Sequence, residues 1–252
     1  MSSPKHRAWT LRTADAESAV AEARKALFVM AAFLAVLWLI QLANAADGYR
    51  LDLYGIRPRD LGSLPDLLTA PFLHVSWTHI ESNSGPLFIF GFLAAYRGVA
   101  RFLGLTVLII AGSGLADWYF GTPGTIGLGA SGVVFGYLGY ILVRGFFDRH
   151  GIDILIGAVM ALCFAYQFTV LLPRAGIGWQ DHIGGLVTGI IGGWLFRDRA
   201  AARSTVRTGP GPAPADPTAA SPGLVLPVAA AAPPAPAAPA GGQQQLDDMD
   251  LA

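Results

Sequence analysis

Three groups of residues have types and spacing that could do chemistry. The first is Gly129-Ala130-Ser131-Gly132, a hydroxyl among glycines where a glycine-rich stretch gives way to an apolar run. A serine there sits near a helix N-terminus, whose unpaired N–H groups can hold a developing oxyanion. Gly-x-Ser-Gly taken alone fits helix packing better than catalysis, because Gly and Ser are common contact residues between membrane helices. The second is His182, followed by Gly184, Gly185, Gly189 and Gly193. Gly185, Gly189 and Gly193 recur every four residues and share one helical face. Gly132, Gly136 and Gly139 offer a matching small surface on the run that begins at Ser131. If the two runs touch, the imidazole comes within hydrogen-bonding range of the hydroxyl and can activate it as a nucleophile. A histidine that merely bridges two helices is the other reading.

The third group is His74, His79 and Asn83, with His79 and Asn83 four residues apart on one face. Both can donate hydrogen bonds, and donors aimed at one point are what an oxyanion hole needs. Three histidines and Glu81 also raise a metal reading, but the spacing is not HExxH, serine is not a usual zinc ligand, and no metal is expected. No cofactor is expected either.

These residues need elements to hold them, and composition says what kind. Hydrophobic residues make up 53% of the chain and charged ones only 13%, which points to a membrane protein. The net charge is zero, so no overall electrostatic attraction argues for a nucleic-acid partner. The single cysteine, Cys163, excludes an intrachain disulfide and CxxC chemistry. Apolar runs lie near 26–46, 80–96, 100–115, 130–147, 152–172 and 182–196. The first is long enough to cross a ~30 Å hydrocarbon core. A cleaved signal peptide is a weaker alternative for it. Loop charge supports six spans with both termini cytoplasmic, since 13 of the 17 Lys and Arg then fall inside, leaving Arg50, Arg57, Arg59 and Arg174 outside. The expected fold is therefore an all-α membrane bundle of six transmembrane helices over residues 26–198. A cytoplasmic segment, 1–25, precedes it, with a short amphipathic helix around 14–26. A Pro/Ala-rich cytoplasmic tail, 199–252, is expected to be disordered. Pro227, Pro233 and Pro234 argue against a seventh span near 224–232.

With three motifs in this order and topology, the stretch from Pro71 to Phe196 resembles the rhomboid family of intramembrane proteases. The family pattern is His-x4-His-x3-Asn in the second helix region, Gly-x-Ser-Gly in the fourth and His-x-x-Gly in the sixth. The resemblance implies Ser131 as nucleophile and His182 as base of a Ser-His dyad. It implies His79 and Asn83 as oxyanion donors and His74 as a helper histidine. Gly129, Gly132 and Gly185 complete the motifs, and Phe135 stands where relatives pack an aromatic ring on the imidazole. Asp181 departs from the small residue many relatives carry. On a helix it points about 100° away from His182 and is not expected to be a triad aspartate, although its charge could act on the imidazole. The loop 47–68 is where relatives insert a membrane-embedded hairpin, only faintly echoed by Tyr54 and Arg57.

The activity implied is endopeptidase cleavage of single-pass membrane proteins, at small residues followed by helix-destabilising ones, in the bilayer of a bacterial cell membrane. The alternative is a catalytically silent relative that binds transmembrane clients. A small transporter is disfavoured, because the runs as bounded show no inverted repeat and no charged residue deep inside.

Overall fold

The computed structural model describes residues 4–173 and 178–198, with side chains from residue 16 onward. It contains six α-helices: α1 (Pro4–Ala46), α2 (Trp77–Ala95), α3 (Val99–Phe120), α4 (Ser131–Asp148), α5 (Gly151–Cys163) and α6 (Trp179–Leu195). Short 3-10 helices at Arg50–Tyr54, Leu61–Leu67 and Ala70–Phe72 fill the long α1–α2 connection, and another, Ala165–Leu171, follows α5. The described residues form no strand, only one bridge between Ile56 and Gly127. The described residues are thus mostly helical.

By length and composition two helices can cross a membrane, α1 over Ala16–Ala46 and α3. The pair Gly151–Cys163 and Ala165–Leu171, bent by 68°, makes a third if taken as one span. Helices α2, α4 and α6 are diluted by polar and glycine residues, those of the three motif groups among them. Three expectations are adjusted. One continuous helix replaces the separate amphipathic helix near 14–26. The third helix runs on to Phe120, past the 100–115 run, and takes Asp117 with it. The fifth run breaks at Phe164, with no Pro or Gly there; the Phe164 ring packs edge-on against Phe90, 4.8 Å away, so tertiary packing rather than a helix breaker accompanies the bend. The tail 199–252 and Arg174 lie outside the described residues.

Helix α4 is the centre of the bundle: every residue from Gly132 to Ile141 is buried. Tyr137 is wholly enclosed and its hydroxyl lies 2.6 Å from Thr106 on α3. The closest packing is between α4 and α6. A Cβ on Gly185 would overlap the carbonyl oxygen of Gly132, and one on Gly189 that of Gly136. Backbone meets backbone along this seam, as the four-residue glycine spacing anticipated. Replacing Gly189 by Ala should therefore push the helices apart and destabilise the protein by about 1–3 kcal/mol, read as a lower denaturation midpoint in detergent.

At the far end of α4 from Ser131, charges close the bundle. Arg144 reaches Asp153 on α5 at 2.5 Å, Arg97 reaches the same carboxylate at 2.6 Å, and His150 lies 3.2 Å from it. Arg97 also approaches Asp148 at 3.7 Å, whose carboxylate accepts the Asp198 N–H at 2.7 Å. The ends of α2, α4 and α6 and the start of α5 are thereby tied together.

Candidate active site

Ser131 is the first residue of α4, and α2 and α6 begin beside it. Ser76 caps α2, its hydroxyl accepting the His79 N–H at 3.2 Å. That cap sets the first turn, from which His79 and, one turn on, Asn83 project. Gly129 has φ +127°, a region favouring glycine, and a Cβ there would lie 2.9 Å from His79 Nε2. Only a glycine lets the His79 ring settle this close to the serine turn. His79 Nδ1 and Asn83 Nδ2 are buried and have no hydrogen-bond partner in the described structure.

His74 lies just before α2 and is fully buried. Its Nε2 accepts the Ala130 N–H at 3.4 Å, and its ring meets His79 edge-on at 5.0 Å. Burial, with His79 beside it, pushes His74 down to about 3, so the ring is neutral and can accept. Its contact is with the residue before Ser131, a position suited to shaping the turn.

His182, in the first turn of α6, is 6% exposed. Its Nδ1 lies 3.0 Å from the Val170 carbonyl in the 3-10 segment after α5. A carbonyl can only accept, so Nδ1 carries the hydrogen and Nε2 of the neutral ring is left free to accept a proton. The Phe135 ring sits 4.7 Å from the imidazole, tilted by 33°. Two contacts thus orient the ring.

The serine and histidine stand at the same end of adjoining helices, yet no hydrogen bond joins them among the described residues. The Ser131 hydroxyl instead donates to Asp181 Oδ2 at 3.4 Å. A long or misdirected catalytic hydrogen bond is common without substrate and does not disqualify the pair. Asp181 does not simply point away, as helix geometry had led us to expect. With no side chain on Gly132, whose Cβ would lie 3.1 Å from Asp181 Oδ2, the carboxylate folds back toward Ser131, and its Oδ1 comes 3.7 Å from His182 Nε2.

Sequence reasoning missed two further groups. The Val170 carbonyl has no sequence signal, being backbone. Asp117 did have one: it is a lone carboxylate late in an apolar helix, 6% exposed, and it corrects the statement that no charged residue lies deep in a helix. It lines a small cavity with Ser113, Gly127, Gly129, Gly132 and Asp181. Among the described residues no group of three His, Cys, Asp or Glu could hold a metal ion.

The long connection is fastened over this end. Ile56 and Gly127 exchange two hydrogen bonds of 2.8 Å, and the Gly129 N–H donates to Ala70 at 2.9 Å. Arg57 pairs with Asp60 at 2.9 Å, and that guanidinium holds the exposed Asp60 carboxyl below its usual range.

Comparison with known proteins gives the family. The Rhomboid domain family model matches residues 62–199. An uncharacterized protein of Mycobacterium tuberculosis is 36% identical over 191 residues, 70% of this chain and 80% of the relative. The rhomboid protease GlpG of Haemophilus influenzae is 32% identical over 126 residues, covering 49% of this chain and 65% of the relative. A putative rhomboid protease of Bacillus subtilis, YdcA, is 28% identical over 173 residues, 65% and 78% of the two chains. The family match spans α2 to α6 and so includes all three motif groups, and this chain belongs to the rhomboid family.

Proposed function

We propose that this protein is an intramembrane serine endopeptidase that cleaves transmembrane segments of single-pass membrane proteins with a Ser131–His182 dyad. The observation that carries the reading is convergence at one end of the bundle. A hydroxyl on the first residue of α4, an imidazole whose free nitrogen is Nε2 and the His79 ring on α2 lie together there, and Asn83, one turn on from His79, carries a second unpartnered donor. In this reading all six helices cross a bacterial cell membrane, with both termini cytoplasmic and the site toward the outer face.

In the first step His182 Nε2 takes the Ser131 proton as Oγ bonds to a peptide carbonyl carbon. The oxyanion is held by His79, Asn83 and the N–H groups at the start of α4. Collapse breaks the C–N bond, and the imidazolium gives its proton to the leaving amine. Water then attacks the ester, with His182 again as base, and releases the acid and the free serine. Small residues on the substrate let its unwound backbone reach the glycine-lined turn, and no cofactor takes part.

Asn83→Ala should lower kcat by about 10²–10³-fold with KM little changed, because the donor acts on charge that develops only in the transition state. Cleavage of single-pass substrates in proteoliposomes checks both this and the whole reading. Wild type should cut and His182→Ala should not. A wild type that binds such segments but cuts none of a varied panel would instead identify a client-binding relative.

A further inference from the structure

The site contains a carboxylate that the dyad mechanism does not use. Asp181 Oδ2 accepts the Ser131 hydroxyl at 3.4 Å, and its Oδ1 lies 3.7 Å from His182 Nε2. Oδ1 is buried and makes no hydrogen bond in the described structure, which is costly for an ionised oxygen unless a cation forms nearby. Resting on the protease reading, we propose that Asp181 is a positioning residue of this dyad, bridging nucleophile and base. It holds the hydroxyl before substrate arrives and steadies the imidazolium once the proton has moved.

The geometry distinguishes this role from that of a triad aspartate. A triad aspartate binds the far nitrogen of the ring, but here Nδ1 is already taken by the Val170 carbonyl. Asp181 instead lies on the side of the ring where the proton is transferred. When the hydroxyl turns from Oδ2 toward Nε2, the carboxylate loses a hydrogen bond and gains a positive charge beside it. No bond other than the Ser131 O–H is broken, and the proton ends on Nε2. Gly132 is what admits the arrangement, because a Cβ there would crowd Asp181 and Ser113 together.

The neighbouring charges are few. Asp117 on α3 lines the same small cavity as Asp181 and lies close enough to act on His182. His79 on α2 faces His182, α4 contributes the Ser131 hydroxyl and the Gly132 N–H, and the segment after α5 contributes the Val170 carbonyl.

A plainer role for Asp181 is an acidic residue in the first turn of α6, favoured by the helix dipole. The two roles differ in what Asp181→Asn changes. If Asp181 only stabilises the helix end, Asn lowers the melting midpoint and leaves the pH dependence of the surviving enzyme alone. If it is a positioning residue, kcat falls about ten-fold with KM within about two-fold. The acid limb of kcat/KM then moves down by about one pH unit, the equivalent of that ten-fold change.

The test uses full-length protein in proteoliposomes and reads the rate of fluorophosphonate labelling of Ser131 against pH. Wild type, Asp181→Asn, Asp181→Ser, Asp117→Asn and the Asp117/Asp181 double variant are compared. We expect both Asp181 variants to shift the profile, and Asp181→Asn to shift it in the Asp117→Asn background as well, because the Asp181 carboxylate itself lies against both the Ser131 hydroxyl and the imidazole. Superimposable profiles for wild type and the Asp181 variants would overturn the inference while leaving the protease reading intact. An Asp181 effect that vanishes in the Asp117→Asn background would assign the shift to Asp117 and overturn the inference. If wild type is not labelled at any pH, the protease reading fails and this inference falls with it.

Discussion

Ser131→Ala should reduce cleavage by about five to six orders of magnitude, to background in any practical assay, while the protein keeps its melting midpoint. Ser131 is only partly buried and its one hydrogen bond, to Asp181, is long at 3.4 Å, so losing the hydroxyl costs the fold little. Its chemistry has no substitute. Asp181 and His182 are the nearest groups able to act, and neither can form the ester that splits the reaction into two steps. His182→Ala should fall almost as far, because nucleophile and base act as a unit and their losses do not add. Cleavage of a reconstituted single-pass substrate, followed with the melting curve of each variant, separates loss of chemistry from loss of fold.

The second large effect lies at the other end of the bundle and concerns stability. Asp153→Ala removes the carboxylate shared by Arg144 and Arg97. Arg144 is 7% exposed, and its remaining bond is to the Leu93 carbonyl at 3.3 Å. A buried guanidinium without its counter-charge costs about 3–5 kcal/mol, and the contacts fastening α5 to α2 and α4 go with it. The expected result is a strongly lowered denaturation midpoint in detergent. Replacing Arg144 and Asp153 together by apolar residues should cost less than Asp153→Ala alone, since no unpaired charge remains.

Much of the arrangement was legible because it rests on periodicity and on residue types with few uses. The four-residue spacing of Gly185 and Gly189 placed α6 against α4, and the backbone contacts to Gly132 and Gly136 are its physical content. The His79 and Asn83 spacing put both side chains on one face of α2. The long connection was not legible. Its 3-10 turns are held by backbone bonds, such as the pair between Ile56 and Gly127, that no side-chain pattern announces. The bend at Phe164 coincides with an aromatic contact to α2 and has no local breaker to announce it. Asp181 was read from helix rotation alone, which places Cβ directions but not the reach of a carboxylate into the space a neighbouring glycine leaves. Asp117 was lost to a helix boundary drawn five residues short of Phe120, the observed end of α3.

The central claim is that Ser131 is a nucleophile activated by His182, and identifying the labelled residue tests it most directly. Full-length protein in proteoliposomes is treated with a fluorophosphonate, digested, and the adduct located by mass spectrometry. The expected result is one adduct, on Ser131, formed by wild type and nearly absent from His182→Ala. An adduct on another serine, undiminished labelling of Ser131 in His182→Ala, or no adduct at all in folded wild type would contradict the claim.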